Sequence, residues 1–441
     1  MKRIFGAVAL ILVVAVSVPF ASGLLLEKYV RSAFKDMNAI YAETGTGYSL
    51  EIVSHERNYS TTVIEWKIDL GVLKTIYPIG EVVFVDHVEH GFAGIVSTTS
   101  LEKNPWFTSF VDEKLQGRNP LHISTVYGYL GNIETTIVSD AFSATFEDEN
   151  VDVKPGRLTI ATDYKLQHFH STGEWQGFSA GEKMAVGPTF VASNLKMLSP
   201  FLWDGDFHFE LQHVKALENE EQFILKGVKG DYRIDVKRDQ SLMSGEALIS
   251  IDGFSSKNMK IDNAKVRFSA GGLRVESYEA FMKIYTQTMS KFFADMAALE
   301  AQPEKSKETM NQQMAAIGFQ MVAAYEKLMQ EGFELKISDL EVKLAEGDIS
   351  GDITLRFLKD MTFMQLIPIA SKPELLLDLF YLKSNCKLPV KLVGDNTKLT
   401  IPAYSGMQTG LFVKSGDYLV HQAETAGGKF MLNSAEVILA Q

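Results

Sequence analysis

The sequence predicts an α+β protein: an N-terminal transmembrane helix followed by a large, mostly antiparallel β-sheet domain with a helical hairpin packed on it. Three observations predict it. Two basic residues precede a long uncharged apolar run; apolar and polar residues then alternate over much of the chain; and one late segment returns to helical spacing. The chain has 441 residues, of which 46% are apolar and 22% charged, enough for packed cores in about two or three domains.

The first element is the run Ile4–Leu26, preceded by Lys2 and Arg3. At about 1.5 Å per residue it is long enough for a hydrocarbon core of about 30 Å, and it exceeds the roughly 7–15 apolar residues of a secretory signal. The basic pair places the N-terminus in the cytoplasm. No later segment is apolar for as long, so a single span is expected. Ala21-Ser22-Gly23 is a small-residue cleavage site, although Leu24, Leu25 and Leu26 carry the apolar run past it. Residues 1–27 are therefore read as an anchor or a signal. In residues 28–44, Tyr29, Val30, Ala33, Phe34, Met37 and Ile40 recur at three- and four-residue spacing, an amphipathic helix ended by Gly45-Thr46-Gly47.

Residues 45–275 form the β-rich domain. Ile64, Trp66, Ile68 and Leu70 alternate with Glu65, Lys67 and Asp69; Leu158, Ile160, Tyr164 and Leu166 extend the pattern. It is cleanest at Phe207, Phe209 and Leu211 against His208, Glu210 and Gln212, and recurs at Tyr232, Ile234 and Val236, at Ile249 and Ile251, and at Val266 and Phe268. One-sided strands of this kind are the mark of antiparallel sheets. Gly227, Gly230, Gly245, Gly253 and Gly271-Gly272 are expected to be turns between them.

Residues 276–331 are read as a helical hairpin broken at Pro303, with an apolar stripe through Ile284, Phe292, Ile317 and Val322 expected to be buried. It carries Met282, Met289, Met296, Met310, Met314, Met321 and Met329, which fill a core or present an adaptable apolar face. Residues 332–441 complete the β-rich domain with strands and short helices, Glu374–Leu382 being the expected helix. About fifteen strands at about 4.8 Å spacing make a sheet about 70 Å wide, whereas two helices of about 10–12 Å cover only a third of one face. The rest of the apolar face must meet another sheet or stay open as a groove.

Chemistry-bearing motifs are sparse. The histidines fall in loose pairs: His168 and His170 on one face of a strand, His87 and His90 on opposite faces, His208 and His213 likewise. None has the spacing of a metal cluster, so no metal and no cofactor is expected. The sequence holds no Gly-x-Ser-x-Gly elbow, no Walker motif and no dinucleotide fingerprint, so no catalytic residue is assigned. Cys386 is the only cysteine and excludes an intramolecular disulfide. The formal charge is −12, and Lys2 and Arg3 are the only charges among the first 26 residues, so the remainder carries −14. Such a body is a poor partner for nucleic acid. The acidic clusters Glu147-Asp148-Glu149 and Glu218-Asn219-Glu220-Glu221 read as solvated loops.

Three short segments carry a resemblance: Arg57-Asn58-Tyr59-Ser60-Thr61, His87-Val88-Glu89-His90-Gly91-Phe92, and Gly428-Lys429-Phe430-Met431-Leu432-Asn433-Ser434. With the anchor-then-strands layout, they resemble the YdgA-like family of bacterial proteins of unknown function. Asn58 stands where that family has glycine, and the histidine segment lacks its proline. The resemblance implies an inner-membrane, single-pass protein with its C-terminal domain in the periplasm, and it supplies no catalytic residues. The expected function is that of a non-enzymatic, membrane-anchored envelope protein whose elongated sheet offers an apolar groove for lipid or acyl chains. Two alternatives stand beside it: a membrane-held protein-interaction or assembly module, and a periplasmic hydrolase. The expected partners are the membrane, through the N-terminal helix, and a lipid or an envelope protein. The residues of the apolar binding surface are left unassigned by the sequence.

Overall fold

The computed structural model describes residues 2–438 apart from 72–73, 75–78, 80, 92–93, 147–148, 219–220, 258, 301–305 and 396–403. Among the described residues there are 25 strands, and their pairs are antiparallel. The chain divides into two compact units.

Unit 1 comprises Met1–Gly181, Phe190–Leu202 and Tyr285–Ile317. Its first element is a single helix, α1 (Lys2–Thr44), which joins the expected anchor and the expected amphipathic helix without a break. Gly45 and Gly47, both at positive φ, end it as the sequence predicts. The strands are β1 (Ser49–Arg57), β2 (Thr61–Asp69), β3 (Glu81–Gly91), β4 (Gly94–Ser100), β5 (Leu121–Tyr127), β6 (Asn132–Ser139), β7 (Phe142–Phe146), β8 (Glu149–Val153), β9 (Gly156–Asp163), β10 (His168–Trp175) and β11 (Phe178–Ala180). Strands β1 to β6 form a meander, which β9 and β10 continue; β7, β8 and β11 pair among themselves.

Helix α1 lies along the strands. Its residues Pro19, Ser22, Gly23, Leu26 and Val30 are buried at helical spacing, and Leu26 and Val30 pack with Ile64, Val88 and Ile95. Full burial of each such side chain is worth about 1.5–3 kcal/mol, so this stripe fixes the helix on the sheet. Farther down, Phe34 meets the Trp66 ring edge-on at 5.4 Å, and the Asn38 amide exchanges two 2.8 Å hydrogen bonds with the Leu50 backbone. Part of the expected span therefore belongs to the core of a folded unit. Among the described residues no helix is long and apolar enough to cross a membrane. The side chains of residues 1–17, on which the expected span begins, lie outside the described residues.

A second helix, α2 (Pro105–Leu115), lies where the sequence reading has none. Pro105 opens it, and Phe107, Val111 and Leu115 bury one stripe, of which Phe107 and Val111 pack with Leu101. Asn104 ties its start to β3 through Val83.

Unit 2 comprises Glu182–Thr189, Trp203–Ile284 and Gly318–Gln441. Its strands begin with β12 (Met184–Val186), after which β13 (Thr189–Ser199) returns the chain to unit 1 and pairs with β10. They resume with β14 (Leu202–Glu218), β15 (Glu221–Lys237), β16 (Leu242–Ile251), β17 (Gly253–Ser255), β18 (Lys260–Arg274), β19 (Glu334–Leu344), β20 (Gly347–Phe357), β21 (Phe380–Pro389), β22 (Val413–Ser415), β23 (Tyr418–Ala426), β24 (Lys429–Leu432) and β25 (Ala435–Val437). The pairing runs β14–β15–β16–β18–β19–β20–β21–β23–β24–β25.

Three expectations need correction here. Gly227, Gly230, Gly245 and Gly271-Gly272 lie inside strands instead of between them, because β15, β16 and β18 are longer than the alternating stretches that mark them. Phe380, Tyr381 and Leu382 open β21 and pair with β20; helix in that region is limited to Leu376–Leu379 after short 3₁₀ turns. The stripe Ile284, Phe292, Ile317 and Val322 is only partly buried. It lies on α3 (Val275–Glu300) and α4 (Ser306–Glu326), whose connection through Pro303 lies outside the described residues, as do parts of both acidic clusters. Within unit 2, Phe281 and Tyr325 bring the two helices together at 5.5 Å.

Candidate functional site

The pairing register of unit 2 builds an apolar row that no single segment of sequence displays. Residues directly opposite in neighbouring strands share a face. Phe207 stands opposite Tyr232, Tyr232 opposite Ala247, Ala247 opposite Phe268, Phe268 opposite Ile337, and Ile337 opposite Ile353. A second row, Ile234, Gly245, Ala270, Leu335 and Leu355, runs beside it. The row between them is polar throughout, Asp206, Arg233, Glu246, Ser269, Lys336 and Thr354, and belongs to the opposite face. A pleated sheet with one dry and one wet face follows directly from this two-residue period.

The apolar face is open. Phe207, Tyr232, Phe268, Leu335 and Ile353 are 37%, 40%, 42%, 42% and 45% exposed. All but Phe207 border a shallow groove of about 570 Å³, within the range of roughly 300–1,000 Å³ typical of small-ligand sites. Crossing six strands, the face is about 24 Å wide at about 4.8 Å per strand. Gly245 on this face and Gly230 beside Tyr232 keep it low, since neither adds a side chain to the row. Cβ at Gly230 would sit 2.9 Å from the Tyr232 ring, so that ring lies over bare backbone.

On the opposite face His208 Nδ1 lies 2.7 Å from Asp231 and Nε2 3.2 Å from Glu210, and a protonated ring nitrogen donates to the carboxylate it faces. The Asp231 hydrogen bond raises its pKa; burial opposes this, and Glu210 adds to the rise. Arg267 pairs with Glu246 and, at 2.8 Å, with Asp339.

The apolar row ends at β21 in a polar pair. Ser384 stands opposite Ile353, and its Oγ is 2.7 Å from His421 Nε2. His421 Nδ1 donates to the Leu411 carbonyl at 2.9 Å, since a carbonyl can only accept; this fixes the tautomer in which Nε2 accepts the Ser384 proton. The two residues are 37 positions apart on adjacent strands, so no local motif could have shown the pair. Cys386, two residues along and opposite His421, is half-buried, and burial pushes its thiol pKa up.

The segment Arg57–Thr61 and the described part of the second, His87–Gly91, converge in unit 1; Phe92 lies outside the described residues. Thr62 Oγ1 and His90 Nε2 are 2.9 Å apart, and the His90 backbone N–H donates to the Ser60 carbonyl at 2.8 Å. His90 is 5% exposed, and burial lowers its pKa against the pull of the Pro19 and Tyr59 carbonyls. Helix α1 reaches this pair through Gly23, where a Cβ would meet His90 Cε1 at 2.5 Å. Arg57 lies over the Phe20 ring at 5.1 Å. The third segment is placed in unit 2, where Asn433 accepts the Gln422 N–H at 2.8 Å from a left-handed turn. His87, exposed on the other side of β3, and His168, bonded to Asp163, stand apart from these groups. Among the described residues no group of three or more His, Cys, Asp or Glu is arranged to hold a metal ion.

Comparison with curated proteins and with solved structures returns no match to the chain. Comparison with family models supports the broader expectation, an uncharacterised bacterial family, and not the narrower YdgA-like assignment. Matched over residues 1–439 by the model described as "Bacterial protein of unknown function (DUF945)", the chain belongs to that family.

Proposed function

We propose that the chain is a non-enzymatic, membrane-anchored envelope protein that holds an apolar chain, such as the acyl chain of a lipid, on the open sheet face of unit 2. The observation that carries this reading is the continuous apolar row from Phe207 to Ile353, exposed along most of its length. Its width of about 24 Å exceeds the about 15 Å that one acyl layer contributes to a bilayer core of about 30 Å. A monomeric surface rarely leaves that much contiguous apolar area without a use. The anchor is the N-terminal part of α1, oriented by Lys2 and Arg3 with the C-terminal domain in the periplasm. Burial of Ser22 and Gly23 in unit 1 supports an uncleaved segment, because removal up to Gly23 would strip the contact to His90 and the 2.9 Å bond from Ser22 Oγ to the Tyr129 hydroxyl.

The test uses photoactivatable palmitic acid with the full-length protein. Crosslinks should fall on peptides containing Phe268 and Leu335, and Phe268→Asp should abolish them. Labelling confined to the N-terminal helix would refute the reading.

Two other readings each have an observation in their favour. Phe319, Met314 and Tyr325 on α4 are 78%, 51% and 47% exposed, which suits a protein partner; stable protein crosslinks insensitive to Phe268→Asp would support an assembly module. The Ser384–His421 pair at the end of the apolar row suits an acyl hydrolase; turnover of an acyl ester lost in Ser384→Ala, with acyl binding retained, would establish that reading.

A further inference from the structure

The register of unit 1 gathers its turns at one edge. Thr61 pairs with Glu89, Ile95 with Tyr127, Ile133 with Thr162, and Thr162 with Phe169. The β1–β2, β5–β6 and β9–β10 turns therefore lie side by side. Helix α1 starts its descent of the sheet at the same edge: Ser22 Oγ is 2.9 Å from the Tyr129 hydroxyl of the β5–β6 turn, and Tyr29 stacks on Tyr164 of the β9–β10 turn at 5.4 Å. From Gly23 at the level of Thr62 to Asn38 at the level of Leu50, the helix covers about 22 Å, and β2 covers a matching length of about 20 Å from Thr62 to Ile68. The residues before Pro19 thus project beyond the turn edge.

That edge is apolar and aromatic. Leu130, at the tip of the β5–β6 turn, is 98% exposed; Tyr59, Tyr164, Phe20 and Leu24 are 50%, 41%, 48% and 47% exposed. Its charges, Arg57 and Lys165 against Glu27, Glu89 and Asp163, leave it without a strong sign. The helix itself supplies the second argument. With Pro19, Ser22, Gly23 and Leu26 turned into the sheet, the uncharged stretch left over is residues 4–18, about 22 Å long, some 8 Å short of a hydrocarbon core of about 30 Å. Interfacial apolar groups sit roughly 5–10 Å deep, and tyrosine is favoured at that depth.

We infer that the turn edge of unit 1, with Leu130 at its most advanced point and Tyr59 and Tyr164 beside it, is immersed in the interfacial layer of the bilayer around the exit of α1, making up the length the helix lacks. This rests on the anchoring reading above.

The test is site-directed spin labelling of full-length protein in phosphatidylcholine liposomes. Labels are placed one at a time at Leu130→Cys and, on the opposite edge, Asn119→Cys, in a Cys386→Ser background. The label at 130 should be accessible to oxygen and shielded from a water-soluble nickel chelate, with a ratio severalfold above that at 119. Equal ratios in protein that floats with the liposomes would overturn the immersed edge while leaving the anchor intact. Protein that fails to float would overturn both. Flotation and circular dichroism of each labelled variant confirm that it is folded and bound.

Discussion

Replacing Gly23 by alanine should destabilise the protein, although the same replacement in most helices does the opposite. In a helix interior Gly→Ala gains about 0.8–1.0 kcal/mol from backbone entropy. At position 23 the new Cβ would lie 2.5 Å from His90 Cε1 and 3.0 Å from both His90 Nδ1 and Arg57 Cδ, whereas carbon atoms in contact prefer about 3.5–4.0 Å. The ring has little room to yield, being 5% exposed, bonded to Thr62 and carried on a backbone tied to Ser60. Overpacking of this kind costs about 1–3 kcal/mol, so the net loss reaches about 2 kcal/mol. Gly318, within α4, is the internal control: nothing lies within 4 Å of its Cβ position, and Gly318→Ala should gain about 0.5–1 kcal/mol. The assay is denaturant unfolding in mild detergent, followed by the fluorescence of Trp66, which packs against the same core. In a His90→Ala background the penalty at position 23 should shrink by about 1–3 kcal/mol, the coupling expected of residues in contact. Equal stabilisation by Gly23→Ala and Gly318→Ala would refute the close approach of α1 to His90.

Phe268→Ala on the open face should cost less than about 1.5 kcal/mol in ligand-free protein, whereas Phe357→Ala, 9% exposed and stacked with Phe333, should cost about 3–5 kcal/mol; both follow from unfolding midpoints. The His208 imidazole should titrate by NMR above its usual value near 6.5, so its contribution to stability is complete below about pH 6.5 and is lost as pH rises through the folded midpoint; Asp231→Asn should move that midpoint down. His90 has the opposite sign: the unfolded chain takes up its proton first, so stability falls as pH drops below about 6.5 and levels off under the folded pKa, and His90→Gln should flatten that part of the stability–pH curve.

The sequence disclosed those parts of the fold whose cause is local. The alternation at Phe207, Phe209 and Leu211 is a property of one strand, and so is its polar counterpart at His208 and Glu210. The apolar row was legible only as an excess of one-sided strands, because its members Phe207, Phe268 and Ile353 are brought together by register and lie far apart in the chain. Gly230 misled for a definite reason: glycine marks both turns and places where a side chain must lie over bare backbone, and here Tyr232 needs the second. Helix α2 was missed because Phe107, Val111 and Leu115 make a single stripe within eleven residues, too short for periodicity to stand out. Phe380–Leu382 was misread because its partners Arg356 and Leu355, which make it a strand, come earlier on β20. The Thr62–His90 contact was hinted at by two short segments, yet nothing in either specified that the other, and Gly23, would meet it.

The unbroken course of α1 has a mechanical consequence. Proteins held to a bilayer by a flexible tether explore a volume set by linker length. Here the same helix leaves the apolar segment, meets His90 and continues to Thr44 as part of the sheet's packing. Under the anchoring proposed above, unit 1 would behave as a post: its strands stand along the helix, and its far edge lies about 32 Å beyond Gly23, at about 1.5 Å for each residue to Thr44. On that proposal, a change in bilayer thickness or helix tilt would be conveyed to that edge as a rigid displacement, because α1 runs without a break to Thr44.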